Sequence, residues 1–262
     1  MKNELQDFER RLEEALTGAT IPMDRVLRYV GGASGKRIRP KLVFLSARLF
    51  GEINETVRRT ALFVELLHMA TLIHDDVVDE SDTRRGQPSV NAKWDNKTAV
   101  LAGDYLLAKA LLQLAEPSNS LILKEMLETA MAMSEGELGQ LRVKSEELKV
   151  ERYLDIIGRK TAGLIRACCV GGALAGWKTD DGRQKMEMIR EFGMDLGLVF
   201  QMRDDILDDD NPEVTVLAEQ LLPKYLEKAL KALDALKPLA NDTEAWEELR
   251  ALTLFCAERK EP

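Results

Sequence analysis

Apolar positions recur at the three- to four-residue interval of a helix over nearly the whole chain, and nowhere alternate with period two for the length of a strand. Residues 8–16 read as a polar, amphipathic opening helix. After a turn rich in Gly and Ser at 31–35, Pro40 sits just inside a helix running toward Phe50, where the proline's missing N–H is tolerated. The stretch 57–79 is apolar on most of its surface and predicts one long buried helix. A polar loop follows at 80–88. Further helices are predicted at 98–114, 121–144, 150–176, 183–207, 218–236 and 243–258. No fixed-period repeat, low-complexity tract or linker interrupts them. The pattern predicts a single all-α bundle over 1–262. Nine glycines between Gly136 and Gly197 fall inside these helices, each costing up to about 1 kcal/mol relative to alanine. Close helix contact and room for a ligand both account for them.

Two acidic clusters share one spacing, Asp75-Asp76-Val77-Val78-Asp79 and Asp204-Asp205-Ile206-Leu207-Asp208, and lie 129 residues apart (75 to 204). On a helix, positions four apart share a face about 6 Å apart along the axis, so three like charges crowd one turn, twice. The first cluster also ends its helix, where the macrodipole disfavours anions. A cation would offset that cost. Hard divalent ions suit oxygen ligands, and Mg²⁺ typically takes one or two carboxylates plus substrate phosphates. Facing helices pack about 8–10 Å apart, so two such clusters across a cavity would hold ions bridged by one polyphosphate.

Cations complete the pattern. Lys36, Arg37 and Arg39 lie beside a helix start, whose free N–H groups favour anions. Arg84 and Arg85 follow the first acidic cluster, and Lys160-Thr161 sits in a mostly apolar helix. Together they suggest two phosphate subsites. His68 shares the face of Asp75 and has no zinc-site companions, which leaves a core histidine or a polar contact to substrate. His74 has no role that the sequence reveals. Met69, Met131, Met133 and Met194 read as core.

Composition narrows the function classes. The 262 residues are 45% hydrophobic and 31% charged, with a formal charge of −8 and a pI near 5.1, which argues against general nucleic-acid or anionic-membrane affinity. Cys168, Cys169 and Cys256 have no zinc spacing and read as buried, reduced thiols of a cytoplasmic protein. Residues 1–7 form no signal-peptide core, and no run reaches the roughly 20 apolar residues of a membrane span.

These motifs, in this order, resemble those of the trans-prenyltransferases, the all-α isoprenyl (polyprenyl) diphosphate synthases. The likeness runs from about Tyr29 to Asp208. It rests on Gly35-Lys36-Arg37-Ile38-Arg39-Pro40, Glu65 with His68, His74-Asp75-Asp76 through Asp79, Arg84-Arg85-Gly86, Gly103-Asp104-Tyr105, Gly136-Glu137, Lys160-Thr161 and Phe200-Gln201 through Asp208. The resemblance implies an isoprenoid-synthase bundle with a central active-site cavity. It implies that Asp75, Asp79 and the second cluster (Asp204, Asp205, Asp208) bind three Mg²⁺ around an allylic diphosphate, with Asp76 beside them. Arg84, Lys160 and Gln201 would contact that substrate or its metal shell. Lys36, Arg39, His68 and Arg85 would hold isopentenyl diphosphate, and Thr161 would stabilise positive charge at the reacting carbon. In this family the residues upstream of the first motif line the elongation tunnel. Here these are Val64, Leu67, Ala70 and Thr71, none aromatic, which favours a medium or long product over a farnesyl or geranylgeranyl one. A homodimer is the implied assembly.

After Asp208 the chain departs from the family pattern. A Gly- and Lys-rich loop and another core helix are expected there, but the sequence runs through Asp209-Asp210-Asn211-Pro212 and soon reaches 226–230, which is similar to the penultimate family helix. The lysine that the family sets against the allylic diphosphate has no counterpart. A true deletion competes with a stretch missing from the sequence; the apolar surface that loss of a core helix would expose favours the second. A terpene cyclase and a non-catalytic partner subunit are the rival readings. The second acidic cluster and the isopentenyl subsite favour elongation over cyclisation, and the possible deletion lends weight to the partner role.

Overall fold

The computed structural model describes residues 1–32, 35–141, 149–177 and 183–260, and helix dominates throughout. The helices α1 (Lys2–Ala15) and α2 (Ile21–Gly31) precede α3 (Ile38–Phe50) and the long α4 (Glu55–Val78). A two-stranded hairpin of β1 (Thr83–Arg84) and β2 (Gln87–Pro88) leads to α5 (Val90–Lys93) and α6 (Asn96–Gln113). Next come α7 (Ser120–Leu141), α8 (Val150–Ile157), a π-helical turn at Gly158–Ala162, and α9 (Gly163–Gly176). The chain continues through α10 (Arg183–Asp208), α11 (Pro212–Leu236) and α12 (Thr243–Glu258).

Several elements differ from the sequence expectation, among them α1, which begins at Lys2 where residue 8 was expected, and the short α5, which was not predicted. Helix α2 was not predicted, because only Val26 and Leu27 of its eleven residues are buried and two positions set no period. The loop at 80–88 closes as a hairpin whose central residues, Arg85 and Gly86, have φ of 52° and 75°, as a two-residue turn matched to strand twist requires. Helix α11 begins six residues early, at Pro212. The Asn211 side chain accepts from the Glu213 and Val214 N–H groups at 3.0 and 3.5 Å, and proline fits the first turn. Residues 33 and 34 of the expected Gly/Ser turn, and 142–144 of the expected helix, lie outside the described residues.

The chain divides into two compact units, Met1–Lys41 with Arg58–Ser120, and Leu42–Val57 with Leu121–Pro262. In the first, α4 and α6 approach so closely that a Cβ on Gly103 would stand 2.2 Å from His74 Nε2. The same ring nitrogen lies 3.2 Å from the Val100 carbonyl, which gives His74 a packing role. Lys109 Nζ donates to the carbonyls of Ala15 and Thr17 at 2.6 and 2.7 Å, closing the C-terminal end of α1. In the second unit, a Cβ on Gly172 would stand 2.2 Å from the Val43 carbonyl oxygen, and one on Gly197 would stand 2.5 Å from Ala162 Cα. Glycine at these positions answers helix contact. Tyr153, Ile157, Val199, Met202, Ala218 and Tyr225 share a buried cluster there. All three cysteines are buried thiols. Met131, expected in the core, is instead exposed on α7.

Candidate active site residues

Both acidic clusters close a helix in the same way. Asp75 and Asp76 lie in the last turn of α4, and Asp204, Asp205 and Asp208 in that of α10. The residue after each cluster, Glu80 and Asp209, takes a left-handed backbone with φ of 50° and 48°. Such a conformation ends a helix and costs a non-glycine residue about 1–2 kcal/mol. The i, i+4 aspartates therefore stand on one face of a terminating turn, as their spacing predicts.

The three aspartates of the first cluster are not equivalent. Asp76 is buried and receives Arg84 Nε at 2.9 Å along with a second guanidinium nitrogen. Asp75 is half-buried and Asp79 exposed. A cavity of about 70 Å³ adjoins this turn, lined in part by Arg37, Glu65, His68, Asp76, Arg84 and Arg85. Burial, then the charges of Arg39, Arg85, Arg84 and Arg37, hold His68 well below its usual pKa, so its ring is neutral. Arginine charge thus gathers around one neutral imidazole, and on the cavity wall Glu65 and Asp76 partly answer it, through Arg37 and Arg84. A Cβ on Gly35 would lie 3.3 Å from a terminal nitrogen of both Arg37 and Arg85, so the 35–40 segment meets the hairpin at its arginines. Lys36 is exposed and Arg39 half-buried.

In the second unit Asp205 is held from two sides. The Tyr153 hydroxyl donates to it at 2.6 Å and Gln201 Nε2 at 2.8 Å. Asp204 pairs with Arg259 at 2.6 Å, whose guanidinium also stacks 4.3 Å from the centre of the Phe200 ring. Burial lifts Asp204, Asp205 and Asp208 above the ordinary carboxylate range; Arg259 works against this at Asp204, and Tyr153 and Gln201 at Asp205. Lys160 and the half-buried Thr161 occupy the π-helical turn, a local widening found often at functional sites. Lys160 pairs with Glu137 at 2.7 Å, and a Cβ on Gly136 would stand 3.0 Å from its backbone nitrogen. Tyr153 and Arg259 escaped the sequence reading. They lie about 50 residues from their aspartates in opposite directions, and no local spacing links them.

Val64, Leu67 and Ala70 are buried on α4, and the Thr71 hydroxyl donates to the His68 carbonyl at 2.9 Å. Among the described residues, no three His, Cys, Asp or Glu side chains gather closely enough to hold an ion by themselves. The donor set still fits Mg²⁺. Every candidate ligand is a carboxylate oxygen, the second cluster is poor in compensating charge, and Mg²⁺ needs only one or two carboxylates when phosphate and water fill the rest of its shell.

Helical architecture and two acidic helix ends of one spacing define an all-α class of protein, and comparison with known proteins names the family. The family model for polyprenyl synthetase matches residues 22–215. Heptaprenyl diphosphate synthase component 2 of Geobacillus stearothermophilus is 39% identical over 210 residues, covering 79% of this chain and 64% of that protein. Among solved structures, heptaprenyl diphosphate synthase from Staphylococcus aureus gives a TM-score of 0.88 at 27% identity, over 99% of this chain and 98% of that one. A polyprenyl synthase from Caulobacter crescentus CB15, complexed with calcium and isoprenyl diphosphate, gives 0.82 at 25% identity, over 99% and 95%. The protein belongs to the polyprenyl synthetase family and has its all-α isoprenoid synthase fold. The match spans 64% and 63% of the length of two curated relatives, less than two thirds of each.

Proposed function

We propose that the protein is a Mg²⁺-dependent trans-prenyltransferase that condenses isopentenyl diphosphate with an allylic diphosphate, head to tail, into a medium or long trans-polyprenyl diphosphate. The observation that carries this reading is the arginine-bearing pocket beside neutral His68, adjoining the acidic turn that ends α4. Relatives named for heptaprenyl and nonaprenyl products support a medium or long chain over a farnesyl one. Lys36, Arg39, His68 and Arg85 hold isopentenyl diphosphate; neutral His68 contributes a hydrogen bond and the cations contribute charge. Arg84, Lys160 and Gln201 serve the allylic diphosphate. Asp75 and Asp79 would each bind magnesium, as would Asp204, Asp205 and Asp208, and Asp76 anchors Arg84 beside the first cluster.

Magnesium held by these carboxylates would supply charge neutralisation for the departing diphosphate. The allylic C–O bond breaks, the isopentenyl double bond attacks the resulting carbocation to form the new C–C bond, and a proton is lost to the released diphosphate. The Thr161 oxygen stabilises positive charge near the reacting carbon. Apolar helix surfaces keep water from the cation. Val64, Leu67, Ala70 and Thr71, none of them aromatic, would line the path of the growing chain.

Exposed apolar residues support a homodimer. Leu101 and Leu112 on α6, and Leu127, Met131 and Leu138 on α7, repeat at helical spacing and are left open to solvent. The name of the Geobacillus relative, "component 2", supports a second reading in which a different subunit is the partner. Among the described residues no helix is long and apolar enough to cross a membrane, in keeping with a cytoplasmic enzyme. One assay tests the whole reading: purified protein with Mg²⁺, an allylic diphosphate and labelled isopentenyl diphosphate. Prenyl elongation is the expected product. A cyclic hydrocarbon would indicate a terpene cyclase, and turnover only after a second subunit is added would indicate the heteromer.

A further inference from the structure

Arg37, between Lys36 and Arg39, has a geometry suited to holding a loop. Its Nε and one terminal nitrogen reach the two carboxylate oxygens of Glu9 on α1, at 2.8 and 3.1 Å. Its other terminal nitrogen reaches Glu65 on α4 at 2.7 Å. Glu65 is buried, and the Arg37 side chain is only 13% exposed. A guanidinium engaged by two carboxylates would have to release one of them to receive a phosphate. The backbone at Arg37 is unusual as well, with φ of 51°, and its carbonyl accepts the Lys41 N–H at 3.1 Å, so the same residue opens α3. A left-handed non-glycine residue persists only where its surroundings over-determine it. Here the three guanidinium hydrogen bonds are those surroundings. Lys36 and Arg39 flank this residue, and Arg37 lines the cavity that also contains His68, Arg84 and Arg85.

We propose that Arg37, clamped by Glu9 and Glu65, is a positioning residue that fixes the left-handed turn at the start of α3 and so sets the direction in which Lys36 and Arg39 meet a diphosphate. Helix α1, through Glu9, is thereby part of the isopentenyl diphosphate subsite without touching the substrate. This rests on the function proposed above. Glu9 is half exposed, so its ion pair contributes little to stability and its loss should leave the fold intact.

The test compares wild type with Glu9→Gln, and with Arg37→Lys, which keeps the charge but loses the planar fork. Steady-state kinetics and calorimetric titration with inorganic pyrophosphate are measured well below the thermal midpoint. The expected result for Glu9→Gln is a KM for isopentenyl diphosphate raised about tenfold, the order of loss when an orienting partner is removed. Pyrophosphate binding should weaken in parallel, with kcat, the allylic KM and the thermal midpoint near wild type. Arg37→Lys should show the same selectivity more strongly. Wild-type KM and pyrophosphate affinity in both variants would overturn the inference, as would an equal loss for both substrates. A wild-type protein that neither binds pyrophosphate nor elongates would instead overturn the proposed function, which keeps the two failures distinct.

Discussion

Four arginines around one histidine set the character of the first unit. His68 is neutral because burial and the charges of Arg39, Arg85, Arg84 and Arg37 all oppose its protonation. Its folded pKa therefore lies below the value of about 6.5 in the unfolded chain. As pH falls through that unfolded value the unfolded state gains a proton that the native state refuses, so stability is lost on acidification. His68→Gln should flatten the fall in Tm between pH 7 and 5.5; parallel Tm profiles for variant and wild type would rule this out. The aspartates also divide into roles at this scale. Asp75→Ala should reduce turnover more than about 100-fold, beyond the usual loss for a partner one step removed from the metal. Circular dichroism and Tm should be unchanged or slightly improved, because a repelling charge leaves a helix C-terminus. Near-normal activity would contradict the metal assignment. The sequence displays three matching carboxylates in each cluster. That Arg84 engages Asp76, while Tyr153 and Gln201 engage Asp205, depends on contacts no spacing encodes.

At the scale of elements, α4 carries most of the candidate chemistry. Its length and all-round apolar surface follow from its burial, and its acidic end follows from the left-handed residue that stops it. Gly103 on α6 lets it pack there. Gly103→Ala would drive a methyl group into the His74 ring and should cost about 1–3 kcal/mol, the range for overpacking, read as a lower Tm. An unshifted Tm would mean that the ring moves aside freely. Further up α4, Ala70→Phe should shorten the prenyl product, measured by chromatography of the dephosphorylated chains; an unchanged distribution would remove Ala70 from the elongation path. The continuous apolar pattern at 150–176 predicted one helix, and one nearly results. The π-helical turn inside it, which carries Lys160 and Thr161, leaves no mark on periodicity because α9 after it is buried on nearly every side, so a register shift of about 100° moves no polar face.

At the scale of the whole molecule, the departure from family pattern after Asp208 falls at a short, capped connection. Asp209 turns left-handed, its side chain accepts from the Thr215 hydroxyl at 2.8 Å, and Asn211 caps α11. We propose that a stretch of the family pattern is missing from the sequence at this turn, because loss of a core helix would expose apolar surface. An intact mass several kilodaltons above 29.4 kDa is the expected measurement, and a mass near 29.4 kDa would establish a true deletion. Arg259 supplies a cation to the second cluster in a chain with no lysine just after Asp208.

The sequence alone determined the helical class, most helix positions, both acidic turns and the basic runs, because each is written in neighbours a few residues apart. It left the glycines undecided between contact and ligand space, missed α2 for want of buried positions, and gave Met131 to the core. Only the tertiary structure decided that Arg37 binds carboxylates, that His68 is neutral, that His74 packs on Gly103, and that Tyr153 and Arg259 attend the second cluster. The physical reason is common to all of them. Charge state and side-chain partnership depend on groups brought near by folding, and those groups lie tens of residues away along the chain.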